Sequence, residues 1–377
     1  MTTPLLFTPL QLRGLTLKNR LVISPMCTYT AHEGIANDWH LVHLGKLASG
    51  GAGMVFTEVV AVARDGRITH GDLGLWSDEQ IEPLARVVRF MKSQGAAAAI
   101  QIGHAGRKAS MQRPWHGNGP LDDTDRARGE VVWPVAAPSA IPLDTGWLEP
   151  HALTLDDIAK LREDWRATAK RALAAGFDVA EVHGAHGYLL HEFLSPLSNR
   201  RDDAYGGSFD NRVRLALEIA ADVRAIWPQD RPLFFRVSSV DGLDGGWTIE
   251  DSVELAKRLK SIGVDVIDCS SGGLMGSATA ARVKRFPGFQ VPFAAQIKRE
   301  SGMTAMAVGL ILEPQQAEGI LKNGEADLIA IGREALADPN WPLHAEAALG
   351  IDNEFASWPE QYGWWLDKRK KGMAPRS

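Results

Sequence analysis

Two histidines three positions apart, His183 and His186, with Tyr188 close behind, carry the sharpest chemical alternatives in this 377-residue chain. On a β-strand, whose side chains alternate, the two imidazoles cannot point the same way. If Gly184 and Gly187 let the chain leave a strand and begin a helical turn, positions i and i+3 become neighbours. The converged pair could then bind a metal, or donate two hydrogen bonds to one substrate oxygen and polarise it. Zinc would require a third protein ligand, and no HExxH-type base accompanies the pair. Tyr188 would add a neutral proton donor. Satisfied structural histidines are the plainer alternative.

Other capable residues fall at the ends of short apolar runs. Ser24-Pro25-Met26-Cys27-Thr28-Tyr29 closes one run, and Gln101-Ile102-Gly103-His104-Ala105-Gly106-Arg107-Lys108 closes another. Arg236 lies inside a third, where an unpaired charge would be costly. It must face a polar ligand or form a structural ion pair, with Glu181 or Glu58 as candidate partners. Gly309, Gly332 and Arg333 could hold a phosphate through backbone N–H groups and a bidentate guanidinium. Their bland alternative is tight turns and a surface charge. A catalytic thiol at Cys27 would need a positive neighbour or base, and the sequence names none. Cys269 reads as a small buried strand residue.

The runs that must position these groups number eight: Leu21–Pro25, Met54–Val60, Ala98–Gly103, Val179–His183, Leu233–Val237, Val266–Ser270, Ala305–Gly309 and Leu328–Gly332. Helical segments lie between them. Ser77-Asp78-Glu79, Thr154-Leu155-Asp156-Asp157 and Thr248-Ile249-Glu250-Asp251 read as helix starts, and Gly95, Gly176 and Gly263 as helix stops. Near-continuous apolar strands alternating with helices predict a parallel sheet, and eight units predict one closed α/β (β/α)₈ TIM barrel spanning residues 1–377 as a single domain. The active site of such a barrel sits at the C-terminal ends of its strands, where the residues above fall. Three segments lie outside the barrel. Residues 7–18 predict an N-terminal hairpin on the barrel floor, turning at Arg13-Gly14. Residues 104–153, after the third strand, form an excursion too long for an ordinary connection and are read as a lid. Residues 350–377 form an aromatic-rich C-terminal tail.

Composition narrows the field. Lys and Arg total 41 against 46 Asp and Glu, a net charge of −5 with no long basic run, which argues against nucleic acid. No apolar stretch approaches membrane-span length. Met1-Thr2-Thr3-Pro4 begins no recognisable secretory signal, and two cysteines make no disulfide framework, so a reducing cytoplasm is expected.

Together these segments resemble the Old Yellow Enzyme family of flavin-dependent ene-reductases, most closely its bacterial thermophilic-like branch of NADPH dehydrogenases and xenobiotic reductases. The resemblance runs from Phe7 to about residue 345. It rests on Leu17-Lys18-Asn19-Arg20, Ser24-Pro25-Met26-Cys27-Thr28-Tyr29, His104-Ala105-Gly106-Arg107-Lys108 and His183-Gly184-Ala185-His186-Gly187-Tyr188. The run from His191 to Arg200, followed by Tyr205-Gly206-Gly207-Ser208, is nearly diagnostic.

The resemblance implies an oxidoreductase with noncovalent FMN across the barrel mouth and NADPH as reductant. Ser24, Pro25, Met26, Cys27 and Val59 would line the flavin, and Gln101 would bond its pyrimidine edge. Arg236 would stabilise negative charge near N1, and Gly309, Gly332 and Arg333 would take the phosphate. A hydride would pass from NADPH to the flavin and then to the β-carbon of an α,β-unsaturated carbonyl or nitro compound, such as an enone, maleimide or nitroalkene. His183 and His186 would hold the substrate oxygen, Tyr29 would help to bind the substrate, and Tyr188 would protonate the α-carbon. Cys27 would modulate without forming a covalent bond. No metal is implied. A homodimer or homotetramer is, with a tail aromatic (Trp358, Tyr362, Trp364 or Trp365) reaching a neighbouring site. Val59 replaces an alanine common in relatives, and Trp115, His116 and Trp133 of the long excursion are available to cover the site. No cysteine-rich cluster motif follows the barrel, which sets aside the iron–sulfur dienoyl-CoA reductase relatives.

Overall fold

The structure is a computed structural model describing residues 3–275, 283–351 and 354–373. Its eight parallel barrel strands are β1 (Leu21–Ile23), β2 (Met54–Ala61), β3 (Ala97–Gly103), β4 (Val179–Gly184), β5 (Leu233–Ser238), β6 (Val266–Ser270), β7 (Thr304–Ala307) and β8 (Leu328–Ile331). Ile329 pairs with Leu21 and Ile331 with Ile23, so β8 closes on β1 and the barrel leaves no edge. Each expected run forms a strand, shifted by at most two residues at either end.

The outer helices are α1 (Asp38–Ser49), α2 (Ile81–Ser93), α3 (Leu155–Ala174), α4 (Phe209–Ile226), α5 (Ile249–Ile262), α6 (Val291–Ser301), α7 (Pro314–Lys322) and α8 (Trp341–Ala348). Thr154 and Thr248 cap α3 and α5, each accepting from the N–H three residues on and receiving an aspartate in return. Ser77 makes the same capping box one turn early, on a 3₁₀ turn (Asp78–Gln80) that runs into α2. Gly95, Gly176 and Gly263 follow their helices in the left-handed region, as expected of helix stops.

A second device recurs at the barrel floor. Asp178, Asp265 and Asp327 each stand just before a strand, and each accepts a backbone N–H at the start of the neighbouring strand: Ala98 at 3.0 Å, Leu233 at 2.9 Å and Ala305 at 3.1 Å. A carboxylate there satisfies an edge donor that the slanted parallel ladder leaves open. The N-terminal hairpin pairs Leu10–Leu12 with Leu15–Leu17 around Arg13-Gly14, and its Leu12 and Leu17 pack under the lowest interior layer. Arg13 fastens it by bonding Asp265 at 2.6 Å and the Gly263 carbonyl at 3.0 Å.

Along the barrel interior, side chains change character every second residue upward. Ala99, Val179, Phe234 and Val266 form an apolar floor layer with Phe56, Met306 and Leu328. Two residues on stand Gln101, Glu181, Arg236 and Asp268, all buried. Two residues further stand Gly103, His183, Ser238 and Ser270, at the mouth. This alternation is the strand period of two, and it delivers polar groups to one end only.

The excursion between β3 and α3 is mostly irregular, with two one-turn 3₁₀ helices, a short helix (Asp123–Ala127) and a two-residue strand pair, Ala136–Ala137 with His151–Ala152. The tail forms α9 (Glu360–Met373), and the tail residues 352–353 and 374–377 lie outside the described residues. Among the described residues no helix is long and apolar enough to cross a membrane.

Candidate active site

A cavity of about 520 Å³ opens at the C-terminal end of the barrel. Its walls include Ser24, Pro25, Met26 and Tyr29 after β1, Lys108 and Met111 after β3, and His186 and Tyr188 after β4. Arg236, Ser270, Gln290, Gly309, Gly332 and Arg333 complete the opposite side. Gly309, Gly332, Arg333, His186, Tyr188 and the Ser24–Met26 segment thus share one cavity, whereas Cys27, Val59, Gln101 and His183 are not on its walls. A buried apolar cluster containing Val59, Ile68 and Met111 backs it, with Cys27, Tyr29 and Tyr188 packed against that cluster.

The histidine turn forms by a route other than a helical one. β4 continues through Gly184, and His186 itself takes a left-handed φ of 63°. Such a backbone costs a non-glycine residue energy and persists only where neighbours hold it. Here the His186 N–H donates to Ser238 Oγ (2.9 Å), while Lys108 Nζ donates to the His186 carbonyl (2.8 Å) and to the Gly273 carbonyl. Gly187 and Gly273 permit the approach: a Cβ on Gly187 would lie 2.2 Å from the Gly273 carbonyl, and one on Gly273 2.7 Å from His186 Cα. The Gly187 N–H donates to His191 Nδ1 (2.8 Å), whose other nitrogen meets Asp241 at 2.7 Å. The outcome for the rings matches the expectation. The His183 and His186 rings lie 5.2 Å apart, and Tyr188 lies 5.2 Å from His183.

Burial and the Arg236 charge push both imidazoles well below their ordinary range, so they are neutral donors near pH 7. Burial, with Cys27 and Asp72 nearby, pushes the Tyr188 phenol up, so its proton stays on. The Cys27 thiol is pushed up by burial and by the Glu58 and Asp72 charges, which makes it a thiol and a poor nucleophile. Glu58 accepts from Thr28 at its N–H (3.3 Å) and hydroxyl (2.7 Å), and so shapes the β1 segment. Tyr29 and Trp115 of the excursion meet in a T-shaped contact with their rings 5.9 Å apart.

Arg236 has an ion-pair partner, and it is neither Glu181 nor Glu58. Asp268, its register neighbour on β6, lies 3.1 Å from Nε. Glu181 instead accepts from Gln101 Nε2 at 2.8 Å, and burial beside Asp268 pushes its carboxyl up. Arg236 also lines the cavity, so the ion pair leaves it within reach of a bound group. Asp268, Ser238, Ser270 and Gln290 were not singled out from the sequence. The Ser270-Ser271-Gly272-Gly273 run at the end of β6 was the available signal, since it occupies a mouth position like the others.

The tail aromatics stand apart from the cavity walls. Trp358 packs between His344 and Phe355, and Tyr362, Trp364 and Trp365 are exposed on α9. His183 and His186 gather no third ligand among the described residues. Among the described residues the group at metal-ligand spacing is His116, Asp125 and Glu130, whose carboxylates are engaged by Arg128 and Arg113.

The cavity fits an FMN-like molecule by its own chemistry. Ser24 Oγ is buried at its wall without a protein partner, an unmet polar atom awaiting a ligand. Gly309 adopts φ 121°, where a Cβ would press on Gln290 and Phe289 within about 3 Å. Arg333 adds an exposed guanidinium beside it, as an anionic group requires.

Comparison with known proteins agrees. The model of the NADH:flavin oxidoreductase / NADH oxidase family matches residues 5–351. An NADPH dehydrogenase of Geobacillus sp. (strain WCH70) is 44% identical over 362 residues, covering 96% of this chain and 98% of that protein. One from Bacillus subtilis (strain 168) is also 44% identical, covering 95% and 99%. Among solved structures, morphinone reductase superposes with a TM-score of 0.76 at 26% identity, covering 94% of this chain and 93% of its own.

Proposed function

The chain belongs to the NADH:flavin oxidoreductase / NADH oxidase family, and on that premise we propose that it is an FMN-dependent ene-reductase that draws on NADPH. Its substrates are α,β-unsaturated carbonyl and nitro compounds, among them enones, maleimides and nitroalkenes. Bound FMN would supply the redox chemistry, linking NADPH oxidation to hydride delivery at the substrate β-carbon.

The observation that carries this reading is the trio at the end of β4. His183 and His186 are neutral and 5.2 Å apart ring to ring, a spacing that would let both donate to a single oxygen. They bind a carbonyl or nitro oxygen and stabilise the negative charge that grows there as the β-carbon is reduced. Tyr188, neutral and beside His183, releases its proton to the α-carbon and recovers one from solvent. Tyr29 and Trp115 border the substrate, and the apolar wall of Val59, Ile68 and Met111 excludes water behind it.

Ser24, Pro25, Met26 and Cys27, just after β1, would hold the flavin ring, and the Arg236 charge would stabilise its reduced, anionic form. Gln101, with its amide nitrogen bonded to Glu181, would offer its oxygen to the ring's polar edge. Gly309, Gly332 and Arg333 would receive the phosphate. Two unpaired cysteines suit a reducing cytoplasm.

Purified protein is expected to be yellow and to bleach with NADPH in the absence of air. His183→Ala and His186→Ala should keep the colour and the bleaching while losing enone turnover by ~100-fold or more, the scale of removing a transition-state donor. Loss of FMN from both variants would assign the histidines to structure instead.

A further inference from the structure

We infer that Ser270 is a positioning residue that sets the tautomer of His186, so that Nδ1 carries the proton and presents it to the substrate oxygen. The inference deepens the ene-reductase reading and rests on it for the identity of that oxygen. It begins from the contact at the end of β6, where Ser270 Oγ lies 2.7 Å from His186 Nε2. The bond contains one proton, and two arrangements are possible. If the imidazole donates, Nδ1 is bare and can only accept. If the hydroxyl donates, Nδ1 holds the ring proton and can bond an oxygen that gathers charge.

Three observations decide between them. A separation of 2.7 Å is the common value for a hydroxyl donor and the lower end of the range for an N–H donor. Among the described residues the other acceptor near Ser270 is Gln290 Oε1, and at 3.4 Å it lies beyond the ordinary O–H···O range. That oxygen is already served by Ser271 Oγ at 2.7 Å, and Gln290 Nε2 donates to the Val308 carbonyl at 3.0 Å, which fixes the amide's orientation. The Ser270 proton therefore goes to His186 Nε2. The tautomer question arises because the ring is neutral, held so by burial and by Arg236, His183 and Lys108 around it. The main chain of His186 is fixed separately by Ser238 and Lys108, so Ser270 controls the ring's proton more than its place.

The test is long-range ¹H–¹⁵N correlation on FMN-loaded full-length protein labelled at histidine nitrogens, with the His186 signals identified by their loss in His186→Gln. At neutral pH, His186 is expected to show a protonated Nδ1 and a bare Nε2. In Ser270→Ala the proton should move to Nε2 or become shared, and Ser270→Thr should restore the wild-type pattern. Enone reduction should fall about tenfold in Ser270→Ala, the scale of one misdirected hydrogen bond, and return in Ser270→Thr. A protonated Nε2 in the wild type, or an unchanged tautomer in Ser270→Ala, would overturn the inference. The wild-type spectrum decides even if Ser270→Ala does not fold. The expected spectrum combined with no enone turnover would instead count against the ene-reductase reading and leave the tautomer assignment standing.

Discussion

His186 and Tyr188 show how much of a site is made by residues that touch no substrate. The imidazole reaches the cavity because its backbone takes a left-handed turn, and Ser238, Lys108 and two facing glycines hold that turn. The sequence displayed the histidine pair and Tyr188 but not this turn, since a non-glycine residue at positive φ leaves no local mark. Nor could it name the Asp268 partner of Arg236, which the barrel register supplies across strands. At this scale the consequence for Tyr188 is specific. Tyr188→Phe keeps the ring in the apolar wall and removes the proton, so the NADPH-consuming half-reaction should proceed normally. The enone half-reaction should slow by ~100-fold, in keeping with the usual contribution of a positioned acid. Rapid-mixing measurement of the two halves separately checks this, and equal slowing of both would place Tyr188 outside proton transfer.

At the scale of the elements, the order of strands and helices was plain in the chain, because fully buried parallel strands read as short apolar runs and their helices carry Thr or Ser caps. Strand ends moved by a residue or two, and a register shift between Phe56 and Val59 inside β2 leaves no mark in the apolar run. The layered interior was legible in principle: Val179, Glu181 and His183 step from floor to mouth at a spacing of two. The aspartates that tie neighbouring strands at the floor are a three-dimensional device that spacing alone does not reveal. Asp265 is the most connected of them, joining the Leu233 N–H, Arg13 and the hairpin. Asp265→Ala should cost about 2 to 3 kcal/mol, the scale for charge-assisted hydrogen bonds lost beside a buried donor. Denaturant unfolding measures it, and a change below roughly 0.5 kcal/mol, the range of ordinary surface substitutions, would contradict the floor account.

Across the whole molecule, the surplus over one barrel is now placed. A hairpin closes the floor, an irregular excursion brings Met111 and Trp115 to the mouth, and a helical tail carries Tyr362, Trp364 and Trp365 outward. Aromatic rings exposed together at 57%, 58% and 67% are unusual on a free surface and fit a homodimer or homotetramer contact. Sedimentation equilibrium should show a homo-oligomer, weakened when Trp364 and Trp365 are both changed to Ser; a monomeric wild type would set that contact aside. None of this bears on the chemistry as directly as one single-turnover experiment. FMN-loaded protein is bleached with an equimolar amount of NADPH, without air, and mixed with cyclohexenone. The account predicts that the yellow colour returns and that one cyclohexanone forms per flavin re-oxidised. Protein that stays bleached with the enone, and regains its colour only when air is admitted, would contradict it.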